Sequence, residues 1–240
     1  DFGTALIFFV AFLCIAFLRT GDLPSIVMIT AAAGFAGGIV LRFKPYVLAR
    51  FAVWRHAWEY AQKGGYQQTR TMSAVASGGL FGAGPEEAWL KYVGAANTDL
   101  VFGVVSEEFG LLLALCAAAA VILLGIYALR AAGRSRSSFY AIAACATAAM
   151  LVFQTTLNVL GSVDLLPLTG VTFPFVSMGG SSMLSCWGLL AYLQAAAPPP
   201  VSVKAAPKAP APAVKPPQAT GFLDELGVAT DDIFGKEDAR

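Results

Sequence analysis

The chain has 240 residues, of which 57% are hydrophobic and only 13% charged, with a net charge of +1. Its mean hydropathy of +0.67 lies outside the range of soluble domains, in which about a quarter of residues are charged. The composition calls for a membrane protein, and with no basic tract interleaved with aromatics it excludes a nucleic-acid partner.

Charge-free runs at about 2–18, 23–41, 109–129, 137–163 and 165–203 approach or exceed the roughly 20 residues that cross the hydrocarbon core as helix. The expected fold class is therefore an all-α membrane protein, a polytopic helical bundle with five spans. The first run has no basic n-region or cleavage site ahead of it and reads as a span, not a removed signal. Cys14, Cys116, Cys145 and Cys186 each lie inside an apolar run without a CxxC pair or accompanying histidines. Neither a disulfide framework nor a metal site is indicated, and the four read as small apolar fillers.

The loop after the third run carries Arg130, Arg134 and Arg136 with no acid, which predicts the cytoplasmic side for it. Residues 43–99 and 162–172 are then extracytoplasmic, and the tail is cytoplasmic. In the long loop Val47, Phe51, Trp54, Trp58 and Ala61 recur at intervals of four and three, opposite Arg50, Arg55, Glu59 and Lys63. The pattern predicts an amphipathic helix lying in the membrane interface, with His56 as a surface side chain on it. The glycine-rich Gly78-Gly79-Leu80-Phe81-Gly82-Ala83-Gly84 lacks both a preceding strand and a following Lys-Ser or Lys-Thr, so a tight extracytoplasmic turn is expected there in place of a nucleotide loop.

Asp99 stands where this loop runs into the next apolar segment. An ionisable group at that boundary is costly to keep and is a functional-site candidate by default. Two readings are compatible: it caps the helix that follows, or it accepts a proton from a hydroxyl bound in a cleft. A single helix over 99–129 would align Asp99, Gly103, Ser106 and Gly110 in one small or polar stripe facing protein or a water-filled cleft. It would also set Glu108 half a turn away from Asp99. Glu107 and Glu108 are deep enough to need partners. On the fourth run Thr147, Gln154, Asn158 and Gly161 form a polar stripe of the kind that joins neighbouring helices. Pro167 and Pro174, with the glycines and hydroxyls between 166 and 182, rule out a continuous helix there. Irregular backbone at membrane depth is tolerated only where it is buried or lines a polar cavity. From 196 to 240 the chain is rich in Ala, Pro and Lys and reads as a disordered cytoplasmic tail. Its acidic and apolar end, 221–234, reads either as a short docking helix or as a solvated terminus.

These pieces together resemble the SEDS family (shape, elongation, division and sporulation), the FtsW, RodA and SpoVE proteins, over residues 1 to 195. The resemblance rests on Asp1-Phe2-Gly3-Thr4-Ala5, Gly65-Tyr66-Gln67, the 77–84 glycine segment, Thr98-Asp99-Leu100-Val101-Phe102 with Glu107-Glu108-Phe109-Gly110, Gln154 and Asn158, Leu166-Pro167-Leu168-Thr169-Gly170 and Pro174-Phe175-Val176-Ser177-Met178-Gly179-Gly180-Ser181-Ser182. It implies a glycosyltransferase polymerising lipid II in the bacterial cytoplasmic membrane, with undecaprenyl pyrophosphate as leaving group and a class B penicillin-binding protein and other division or elongation proteins as partners. Asp99 takes the position of the essential base. Lys91, Arg70, Gln67, Ser177, Gly179, Gly180 and Ser181 are implied substrate contacts, with Glu86 or Glu87 the alternative partners of Lys91 and Arg70, and Glu108, Gln154, Asn158, Pro167 and Pro174 shape the cleft. No ligand cluster marks a metal site, although a divalent cation shared by Asp99 and a pyrophosphate stays open. Members of the family have about ten spans, so a chain starting at the sixth is expected to be inactive alone. A lipid-linked precursor flippase and a noncatalytic division scaffold are the alternatives.

Overall fold

The computed structural model describes residues 2–43, 45–135 and 137–196, so Arg136 and the tail beyond Ala196 lie outside the described residues. Eight α-helices and one 3-10 turn, Leu90–Tyr92, make up the regular structure there. Helix α1 (Phe2–Thr20) and α2 (Leu23–Phe43) are joined at Gly21, and Asp22 accepts bonds from the Ser25 amide and hydroxyl at the start of α2. Helices α6 (Leu111–Ala132) and α7 (Ser138–Ser162) follow the third and fourth apolar runs, and α8 (Gly180–Ala196) ends the described bundle. Of these, α1, α6 and α7 are long and apolar enough to cross a membrane, while the apolar part of α2 is shorter, Leu23–Ile39.

The bundle is built around α7, which packs on α6 along one side and α1 along another. Small residues make the α6 contact close: Ala114, Ala118, Gly125 and Ala128 are buried, facing Ala144, Ala148 and Leu151. A Cβ on Gly125 would stand 2.6 Å from Val152 Cγ2. Within a bilayer, where lipid offers no hydrophobic drive to helix pairing, such close backbone approach is what holds helices together.

The single helix expected over 99–129 is two. Helix α5 (Val101–Phe109) stops at Gly110, whose φ of 91° belongs to glycine, and α6 starts one residue later. The Leu80 carbonyl occupies the space a Cβ on Gly110 would need. The glycine-rich loop is thereby explained. It follows α4 (Tyr66–Gly78) and zips onto the break, with Leu111 N donating to Gly79 O at 2.9 Å, Ala83 N to Glu107 O at 2.8 Å and Gly84 N to Glu108 O at 3.1 Å. Backbone groups freed at the break are satisfied by the loop, as burial demands.

The interfacial helix is also shorter than its periodicity suggests. Helix α3 spans Pro45–Val53, and Arg55 at φ 64° turns the chain back. Instead of continuing the apolar face, Trp54 Nε1 donates to Leu165 O at 3.2 Å and Arg55 N to Asp164 Oδ1 at 3.0 Å. Tertiary bonds to the segment after α7 outweigh local helical preference, and Trp58 is left exposed.

Candidate functional site

Asp99 lies in the turn ahead of α5, not on it. The residue flanking α5 is Leu100, without a side-chain capping bond, so the capping role expected of Asp99 is not the one its carboxylate performs. The turn is closed by Asp99 N donating to Ala95 O at 3.0 Å, with Ala95 at φ 65°.

Three successive carbonyls of this turn are held by other elements. Met178 N donates to Asn97 O at 2.8 Å, Ser177 Oγ to Thr98 O at 2.5 Å and Asn158 Nδ2 to Asp99 O at 2.9 Å. Asn158, 2% exposed on α7, uses the same amide to reach Val171 O at 2.7 Å. Ser177 accepts in turn from Phe173 N at 2.7 Å. The Asp99 backbone is therefore clamped between α7 and the irregular segment 171–178, which leaves its side chain outside the clamp.

That side chain faces a cavity of about 400 Å³. Its apolar wall comes from Phe2 on α1, Val47 and Phe51 on α3, and Pro167 and Leu168, with Phe2 and Phe51 edge to face at 6.2 Å. Its polar wall is Asp99, Arg50, Thr169 and Gly170. Arg50 Nη1 donates to Leu168 O at 2.8 Å, which sets the guanidinium over the cavity. A Cβ on Gly170 would stand 3.2 Å from Asp99 Oδ2 and 3.6 Å from Arg50 Nη1, and Gly170 adopts φ 74°. Only glycine leaves that space open without backbone strain. Burial raises the Asp99 carboxyl above its ordinary value, a shift that the Thr98 hydroxyl and the Arg50 charge partly offset. A base with a raised pKa is better matched to proton transfer near neutral pH.

The other residues marked by sequence fall into different places. Pro167 lines the cavity; Pro174 is buried and borders an apolar groove between α6 and α8. Gln154 Nε2 donates to Thr172 O and Thr172 Oγ1, tying α7 to the irregular segment. Lys91 and Arg70 are not on the cavity: Lys91 Nζ bonds Pro85 O at 2.6 Å, and the Arg70 guanidinium lies over the rings of Tyr66 and Trp89 at 5.2 and 5.9 Å. Gln67 donates to Gly94 O and borders a second cavity of about 260 Å³ that shares Arg50 and Leu168 with the first. Ser177 is 2% exposed and engaged in the clamp. Gly179, Gly180 and Ser181 sit at the start of α8, away from Asp99's cavity, with Gly180 and Ser181 exposed. Of the two glutamates it is Glu107, not Glu108, that is deeply buried, at 1% exposure. Its carboxylate accepts from Trp89 N and Leu90 N at 3.1 and 2.9 Å and so anchors the 3-10 turn.

Four residues at or beside the site carry no signal of their own in the sequence. Arg50 falls on the polar side of the amphipathic repeat, and Gln68, which bonds Gly161 O and Asp164 Oδ1, is one of several amides in a polar loop. Thr169 and Gly170 mark an irregular segment; their place beside a carboxylate 70 positions away in sequence follows only from the fold.

The bundle and its cavity define a polytopic helical membrane protein with a carboxylate and a guanidinium at the junction of a helix bundle and its loops. The family model for the FtsW, RodA and SpoVE cell cycle proteins matches residues 1–198, and the chain belongs to that family. It is 35% identical over 196 residues to the peptidoglycan glycosyltransferase RodA of Mycobacterium leprae, covering 80% of this chain and 42% of that protein. It is 32% identical over 191 residues to the probable peptidoglycan glycosyltransferase FtsW of Tolumonas auensis, covering 77% and 50%. The chain thus spans half or less of the length of these two relatives. Among solved structures, a chain from "Structural coordination of polymerization and crosslinking by a peptidoglycan synthase complex" shares the fold at a TM-score of 0.62 and 24% identity, covering 80% of this chain and 55% of that one.

Proposed function

We propose that this chain forms the base-bearing part of a peptidoglycan glycosyltransferase that extends glycan strands from lipid II. The observation that carries the reading is the Asp99 carboxylate, fixed through its backbone and directed into a cavity that is apolar on one wall and polar on the other. Such a cavity suits a substrate with an isoprenoid end and a sugar end. In the reaction, Asp99 takes the proton of the acceptor sugar hydroxyl as that oxygen attacks the anomeric carbon of the lipid-linked donor. The clamp on carbonyls 97 to 99 keeps the base in register with the acceptor, which is where positioning supplies rate. The names carried by the RodA and FtsW relatives support this chemistry.

In this reading the protein sits in the bacterial cytoplasmic membrane with Asp99 on the outer side, which Arg130, Arg134 and Arg136 support, since an arginine-rich stretch without acids favours the cytoplasm. A class B penicillin-binding protein is the expected partner, consistent with a fold relative drawn from a peptidoglycan synthase complex. The test is Asp99→Asn in the protein expressed at full length and supplied with lipid II. Polymer formation should fall by about 10²–10⁴-fold, the usual contribution of a general base, with insertion and folding intact. Polymer at the normal rate would end the proposal. Lipid II crossing vesicle membranes without polymer would move the site to the flippase class.

A further inference from the structure

Asp99 alone leaves half of the proposed reaction without a partner. As the acceptor oxygen forms its bond to the anomeric carbon, the bond from that carbon to the donor's phosphoryl oxygen breaks, and its electron pair passes to the leaving diphosphate. The acceptor's proton goes to Asp99. Negative charge thus passes from the Asp99 carboxylate, which the proton neutralises, to the departing diphosphate, and there it needs a cation and hydrogen-bond donors aimed at it.

The cavity contains both. Arg50 borders it with a guanidinium of five N–H donors, and the bond to Leu168 O fixes its plane while using one of them. Thr169 is the second observation: the residue is 9% exposed and borders the same cavity, and its hydroxyl oxygen, buried just beneath the cavity lining, has no hydrogen-bond partner among the described residues. A buried hydroxyl left unpaired is rare and calls for a ligand or water. Gly170, the residue after Thr169, keeps Asp99 Oδ2 and Arg50 Nη1 within reach of one unfilled point. Arg50 and Leu168 also border the adjoining cavity of about 260 Å³, so the guanidinium stands where a two-phosphate group has room on either side. Planar forked donors suit phosphoryl oxygens better than a point charge does.

We propose that Arg50 and the Thr169 hydroxyl bind the diphosphate of the lipid-linked donor, beside Asp99 across Gly170, and that Lys91 and Arg70 do not. This assignment rests on the glycosyltransferase reading but is tested apart from it. The probe is inorganic pyrophosphate added to the purified full-length protein, read as a thermal shift and as inhibition of lipid II polymerisation. Wild type should be protected. Asp99→Asn should be protected at least as well, because a neighbouring negative charge is gone, while its polymerisation is lost. Arg50→Gln should lose protection, need at least 10-fold more pyrophosphate for inhibition, and show a raised KM for lipid II. Arg50→Lys should fall between, and the near-isosteric Thr169→Val should weaken inhibition by several-fold without altering the fold. A Lys91→Gln, Arg70→Gln double variant should bind the probe as wild type does. Retained pyrophosphate protection in both Arg50→Gln and Thr169→Val overturns the assignment. So does protection by phosphatidylglycerol nanodiscs with none by pyrophosphate, which would make Arg50 a lipid-headgroup contact. If Asp99→Asn polymerises normally while Arg50→Gln loses the probe, the base fails and the anion site stands.

Discussion

Asn158 offers the sharpest check on how the fold positions Asp99, the proposed base. Its amide donates two buried bonds, to Asp99 O at 2.9 Å and to Val171 O at 2.7 Å, while its own Oδ1 is buried with no partner among the described residues. Asn158→Leu strips both carbonyls of their donor, at about 1–3 kcal/mol each. It also removes the unpaired oxygen, which returns about 1–2 kcal/mol. The net expected loss is about 2 kcal/mol, or a fall in Tm of about 4–8 °C for a chain of this size. Asn158→Asp has the opposite balance: it keeps an oxygen in the unpaired position and turns another toward the two carbonyls, so it should be less stable than the leucine variant by about 2 kcal/mol. Activity should follow geometry. Asn97 O and Thr98 O keep their donors, so the turn drifts without dissolving, and kcat for lipid II polymerisation should fall by about 10–100-fold, as a displacement near 1 Å produces. Thermal unfolding in detergent and steady-state polymerisation by the full-length protein read both quantities. An Asn158→Leu variant that loses stability yet polymerises at the wild-type rate would refute the clamp, and an aspartate better tolerated than leucine would refute the direction of the two bonds.

The acidity of Asp99 makes a second prediction. Burial sets its carboxyl above the ordinary value, with Thr98 and Arg50 pulling in the other direction. A base works deprotonated, so polymerisation should fall as pH drops through an acidic limb displaced above the usual carboxylate range, and Arg50→Gln should displace that limb further upward. Because the folded value is raised, folding favours the protonated form. The group's stabilising contribution is present below its unfolded pKa and is lost as pH rises through the folded one. Asp99→Asn should therefore be more stable than wild type at pH 8, with the difference closing on acidification; a limb at or below the ordinary carboxylate value would contradict this. Gly170→Ala should cost about 1–2 kcal/mol for a β-carbon at φ 74°. It should also lower the polymerisation rate at least 10-fold by crowding Asp99 Oδ2 and Arg50 Nη1, and an unchanged Tm and rate would show that the gap between them is not used.

The apolar runs alone determined that this chain is a membrane-embedded helical bundle, because backbone polar groups in hydrocarbon leave helix as the available form and its length is set by the bilayer. α1, α6 and α7 fall where the runs predict, and Asp99 stands out by its charge alone. Local pattern failed where long-range bonds compete with it. The helix read through 99–129 breaks at Gly110 because a loop 30 residues earlier supplies the carbonyls and amides that the break requires. The amphipathic repeat after Val47 stops at Val53 because Trp54 and Arg55 find partners more than 100 residues away. Which cation stands beside Asp99 was settled the same way. Lys91 and Arg70 are nearer in sequence, yet a side chain's surroundings depend on which segments share a wall, and the wall that Asp99 shares is built from α1, α3 and residues 167–170.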